Sequence, residues 1–83
     1  MDKDKIIAIL YIHKENKQYD IEIPLNITAN ELVIGLNKAF KLGIDVTDIK
    51  QCYLRTENPI ALVKGNKTLA DFKLRNGTII NIT

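Results

Sequence analysis

The sequence predicts an α+β fold: a mixed sheet of four to five strands with one helix packed across one face. Three observations carry this. Only one stretch, residues 28–43, has a long helical pattern, TANELVIGLNKAFKLG. Short Ile-rich or alternating runs flank it on both sides, and they are cut apart by turn residues. At 83 residues the chain is sized for one domain, 1–83, with one core.

One amphipathic helix needs a broad surface to lie on, and the flanking strands supply it. Thr28 and Glu31 have the spacing of a capping box, and Ile27 and Leu32 that of a hydrophobic staple. Leu32, Val33, Leu36, Ala39 and Phe40 recur at i, i+3, i+4 and form an apolar stripe, with Asn30, Asn37, Lys38 and Lys41 on the other side. Lys38 and Lys41 suit the negative end of the helix dipole, and Gly43 offers a left-handed terminating residue. Ile34 falls off the stripe.

Taken in order, residues 5–13 form an Ile-rich strand, residues 14–17 (KENK) a polar turn, and residues 18–25 (QYDIEIPL) a second strand. In that second strand Tyr19, Ile21 and Ile23 alternate with Asp20 and Glu22, and Pro24 marks its end or an edge position. After the helix, residues 44–50 form a loop that returns Ile44, Val46 and Ile49 to the core. Residues 51–56 (QCYLRT) alternate with Cys52 and Leu54 inward, Tyr53 and Arg55 outward. A turn at 57–59 leads to a short strand at 60–63, and Gly65-Asn66 turns the chain again. Residues 68–72 (TLADF) form one capped helical turn, Asn76-Gly77 a tight turn, and residues 78–83 (TIINIT) the last strand. Pairing the first and last strands in parallel requires the helix as crossover.

Composition excludes several function classes. A net charge of +2, with Lys interspersed among Asp and Glu, gives no basic block for nucleic acid or a membrane surface. One cysteine permits neither an internal disulfide nor a Cys-based zinc site, and fits a reduced, cytoplasmic setting. The opening MDKDK carries acidic residues where a signal peptide would be basic, and no run approaches the roughly 20 apolar residues of a membrane span. No Ser-His-Asp set, glycine-rich phosphate loop or Gly-Lys-Ser/Thr motif occurs. The expectation is a non-enzyme without cofactor or metal. His13, the only histidine, reads as a solvated turn residue; Cys52 as a small buried hydrophobe; Asp45, Asp48 and Asp71 as scattered loop and capping carboxylates.

The element order resembles the ubiquitin or β-grasp fold over essentially the whole chain. Within that fold, Tyr19-Asp20-Ile21-x-Ile23-Pro24 and Leu69-x-Asp71-x-x-Leu74-x-Asn76-Gly77-x-Ile79-Ile80-x-Ile82 are similar to the YukD/EsaB family of bacterial ubiquitin-like proteins. The resemblance implies a cytoplasmic accessory or regulatory component of type VII secretion, working through protein partners, including secretion-machinery components. Ubiquitin and the β-grasp sulfur carriers close on a flexible Gly-Gly tail, whereas this sequence closes on Asn81-Ile82-Thr83. That ending argues against conjugation or sulfur transfer. Two alternatives to the interaction module stand beside it: a carrier or modifier protein, and a structural domain that homodimerises.

The surface expected to carry function is the sheet face away from the helix. If Ile21 and Ile23 face the helix together with Ile7, Ile9 and Tyr11, then Ile6, Ala8, Leu10 and Ile12 lie on the open face, joined by Tyr53 and Ile79 from flanking strands. An apolar stripe on an open face marks a partner or self-association surface. A register slip of one residue exchanges the two sets.

Overall fold

The computed structural model describes residues 4–83. Met1, Asp2 and Lys3, the start of the would-be signal segment, lie outside the described residues. Five strands and one helix run in the order β1 (Lys5–Ile12), β2 (Lys17–Pro24), α1 (Ala29–Phe40), β3 (Leu54–Glu57), β4 (Ala61–Val63) and β5 (Ile79–Ile82). The sheet is ordered β2-β1-β5-β3-β4. β1 is antiparallel to β2 and parallel to β5, and β3 is antiparallel to both β4 and β5. The parallel central pair fits the crossover argument, and β2, which ends on Pro24, is an edge strand.

Helix α1 starts where the sequence places it. Thr28 Oγ1 accepts the Glu31 amide at 3.1 Å, and the Glu31 carboxylate accepts the Thr28 amide at 3.0 Å. This reciprocal pair satisfies two otherwise orphaned donors. The stripe buries Ala29, Leu32, Val33 and Leu36, with Phe40 half-buried against the Tyr19 ring at 5.2 Å between centroids. Ala39 is exposed, so the stripe runs down the Ala29 side of the helix rather than through Ala39. The helix ends two residues earlier than expected from Gly43: Lys41 takes the left-handed conformation at φ 53°, and Gly43 itself adopts φ 74°. Asn37 does not simply face water. Its side-chain amide donates to the Ile44 carbonyl at 3.1 Å and accepts the Ile44 amide at 2.9 Å, clamping the outgoing loop. Ile44 and Val46 do return to the core, but Ile49 is 87% exposed.

The hairpin settles which face of β1 is core. Ile12 stands opposite Lys17, so the turn holds four residues, a 3-10 turn at His13–Glu15 and Asn16 in the left-handed conformation at φ 52°. An even-length turn sets even residues of β1 against odd residues of β2: Ile6 opposite Ile23, Ala8 opposite Ile21, Leu10 opposite Tyr19. Residues facing each other across an antiparallel pair share a face. Ile21 and Ile23 therefore bring Ile6, Ala8, Leu10 and Ile12 to the helix side, where they are 6%, 0%, 0% and 5% exposed. The expectation that these four lie on the open face, with Ile7, Ile9 and Tyr11 inward, is corrected; it needed an odd-length turn.

The core closes with Leu54, Val63, Leu69, Leu74 and Ile80 from the second half of the chain. Burying a leucine such as Leu10 completely is worth about 1.5–3 kcal/mol. Buried polar groups are paired: Thr78 Oγ1 donates to the Asn58 carbonyl at 2.8 Å and accepts the Arg75 amide at 3.0 Å. Among the described residues no buried side-chain nitrogen or oxygen lacks a hydrogen-bond partner.

Candidate interaction surface

The sheet face opposite α1 is laid out by the same register. Down its centre run Ile7, Ile9 and Tyr11 of β1, beside Ile79 and Asn81 of β5, since Ile9 pairs with Ile79 and Tyr11 with Asn81. Glu22, Asp20 and Gln18 of β2 flank the β1 row. Glu57 and Arg55 of β3 flank β5, and Leu62 of β4 stands beside Arg55. Ile7 and Leu62 are each 45% exposed, while Ile9, Tyr11 and Ile79 are half-buried by their neighbours. The result is a short apolar row, Ile7–Ile9–Ile79, with Glu22 and Asp20 along one side and Glu57 beside Ile79 on the other.

Polar contacts order the end of the face nearest the hairpin. The Tyr11 and His13 rings stack at 4.0 Å with 3° between planes, and His13 Nε2 lies 2.8 Å from Asn81 Oδ1. Asn81 in turn donates to the Glu57 carboxylate at 2.9 Å. His13 is exposed, as expected, yet it is held by β5 rather than free in a turn. At the other end Lys5 pairs with Glu22 at 3.4 Å, and Asn76 Oδ1 accepts the Ile7 amide at 2.8 Å.

Of the six residues expected on this surface, Ile79 is on it, next to Ile9. Tyr53 lies just before β3, half-buried, with the Arg55 guanidinium 5.9 Å from its ring centroid. Ile6, Ala8, Leu10 and Ile12 belong to the core. The residues missed were Ile7, Ile9, Tyr11 and Leu62. Two signals pointed to the first three: the four residues left for the turn, and the polar ends of the odd row (Lys5, Tyr11, His13) against the purely apolar even row.

The face holds no arrangement of reactive groups. Among the described residues no three of His, Cys, Asp and Glu gather at a metal-binding distance. Cys52 is buried, its Sγ 3.7 Å from Asn30 Oδ1. Asp45 is held below its ordinary pKa by hydrogen bonds from the Thr47 hydroxyl and amide, the geometry of a loop turn rather than of an acid–base site. No described helix is long and apolar enough to cross a membrane.

Comparison with solved structures places this architecture among ubiquitin-like proteins. The C-terminal ubiquitin-like domain of mouse tubulin-specific chaperone e superposes with a TM-score of 0.68 at 12% identity, covering 100% of this chain and 91% of that one. A de novo design based on ubiquitin gives 0.65 at 13% identity, covering 99% and 90%. The ubiquitin-like domain of Plasmodium falciparum Dsk2 gives 0.61 at 16% identity, covering 95% and 99%. At these identities the likeness is one of fold alone. No curated protein sequence matches the chain. A family model does: the one described as WXG100 protein secretion system (Wss), protein YukD, over residues 7–82. That match runs from the open-face residue Ile7 to the last residue of β5, and the chain belongs to the YukD family.

Proposed function

We propose that this protein is a non-enzymatic, ubiquitin-like interaction module, a cytoplasmic accessory or regulatory component of a type VII secretion system that docks a protein partner on its open sheet face. The observation that carries this reading is the Ile7–Ile9–Ile79 row, uncovered on the central strands of a member of a secretion-associated family. A sheet face with only solvent to meet is ordinarily polar, and here β2 supplies that pattern with Gln18, Asp20 and Glu22 while Ile7 and Ile9 of β1 and Ile79 of β5 break it. Partner recognition is attributed to Ile7, Ile9 and Ile79, with Tyr11 and Leu62 at the margins.

The test is affinity capture from cells carrying tagged wild-type protein or the Ile7→Lys/Ile79→Lys variant, with Ala39→Lys as an exposed helix control. Secretion-machinery components should be captured by wild type and the control and be lost with the double variant. Equal capture by all three contradicts the assignment. Light scattering on the same proteins separates the homodimer alternative: a dimer abolished by Ile7→Lys/Ile79→Lys would mean that a second copy occupies this face.

A further inference from the structure

A second concave surface lies in the helix layer, away from the open sheet face. It is a cleft of about 600 Å³ bounded by α1, the loop leaving it and the segment after β4. Ile34 and Ile49 form its apolar walls, at 48% and 87% exposed, with Val46 and the buried Cys52 deeper in. The fold uses neither isoleucine: the helix buries its Ala29, Leu32, Val33 and Leu36 side, and the loop is already anchored through Ile44 and Asn37. Single exposed apolar residues are ordinary, but two converging with Val46 on one concavity are the makings of a binding pocket.

The rim is cationic. Lys64 and Lys67 line it, both exposed, and neither forms a salt bridge among the described residues. The nearby loop acids do not line the cleft and are engaged in hydrogen bonds of their own. Asp45 accepts from Thr47, and Asp48 accepts from the Lys50 amide and the Gln51 side chain. The first helix amides are not free for an anion either, since Ala29 and Asn30 donate to the carbonyls of Lys67 and Gly65 at 2.9 and 3.0 Å. Attraction for negative charge at this site therefore comes from the two ammonium groups.

We propose that the cleft is a second docking site, which takes an acidic amphipathic segment of a partner protein. An apolar side chain of that segment seats between Ile34 and Ile49 over Cys52, and its carboxylates meet Lys64 and Lys67. Charge complementarity selects this occupant over a basic or purely apolar one. The site is independent of the open face and is tested separately from it.

The probe is a capped peptide of repeating Leu-Glu-Glu-Leu, titrated into isotopically labelled protein and followed by amide NMR. Saturable shifts are expected at Ile34, Val46, Ile49, Cys52 and Gly65, while Ile7 and Ile79 stay unmoved. Lys64→Glu/Lys67→Glu should weaken binding by about tenfold, as should raising ionic strength from about 0.02 to about 0.5 M. Ile49→Asp should abolish binding with the unfolding midpoint unchanged, because this side chain is already in water. Ile7→Lys should bind like wild type. Several outcomes would overturn the proposal: no saturable shifts at millimolar peptide, equal binding of Leu-Gln-Gln-Leu or Leu-Lys-Lys-Leu repeats, or shifts confined to the sheet face. Self-association of the protein lost on Ile49→Asp would do so too, since it would make a second copy the occupant.

Discussion

On its helix side β1 presents Ile6, Ala8, Leu10 and Ile12, all buried; on its open side it presents Ile7, Ile9 and Tyr11, of which Ile7 is 45% exposed and the others half-buried. The residue types are nearly the same, and the environments are opposite. What separates them is the neighbouring strand. Tyr19, Ile21 and Ile23 stand beside the even row, and Gln18, Asp20 and Glu22 beside the odd one. A central strand can thus be apolar on both sides with only one side in the core, and the edge strand beside it reports which side that is.

Substitutions sharpen that contrast between covered and uncovered faces. The largest effect belongs to the side that meets the helix. Leu36, 7% exposed, packs α1 onto the sheet, and Leu36→Ala should cost about 2–5 kcal/mol in urea unfolding, since the site cannot collapse fully around the void. A loss near zero would mean that the helix is not seated on this face. A smaller effect comes from the helix start. Thr28→Ala removes the acceptor for the Glu31 amide and should cost about 1 kcal/mol, with the exchange of that amide accelerated. Unchanged exchange there would dismiss the capping box as a stabilising feature.

The smallest effect is an electrostatic one in the exposed loop. Hydrogen bonds from Thr47 lower the Asp45 pKa in the folded protein, so the folded state binds fewer protons than the unfolded chain in mild acid. The contribution is therefore present above the unfolded aspartate pKa and fades as pH falls through the lower folded value. Thr47→Ala should return the Asp45 titration, followed by NMR, upward toward the ordinary aspartate value, with little change in overall stability. A titration that does not move would assign the shift to another group.

Much of the architecture was legible because its signals are local. The Thr28–Glu31 box, the Leu32–Leu36 stripe, the alternation of Tyr19, Ile21 and Ile23, and the inward pair Cys52 and Leu54 each depend on neighbours within a few residues. The family resemblance rested on the second strand and on the pattern from Leu69 to Ile82, and the family match over residues 7–82 bears it out. The surface was harder, because a strand that is apolar on both sides shows its buried face only through its register with the neighbouring strand. The polar turn read at residues 14–17 already has an even length, which sets even residues of β1 against odd residues of β2; the expectation paired odd with odd, and that slip of one exchanges Leu10 for Ile9. Ile49 was misplaced for a different reason. A loop has no period, so an isoleucine within it carries no mark of whether it faces the core or a cleft. The left-handed Lys41 went unread because Gly43 offers the same conformation at no steric cost.

The even residues of β1 are core and the odd residues are surface, and one paired experiment tests that division. Urea unfolding of Leu10→Ala and Ile7→Lys, measured side by side, should show a loss of about 2–5 kcal/mol for the alanine and a change within about 0.5 kcal/mol for the lysine. If Leu10→Ala unfolds like wild type while Ile7→Lys collapses the fold, the faces are exchanged and the proposed docking row lies inside the core.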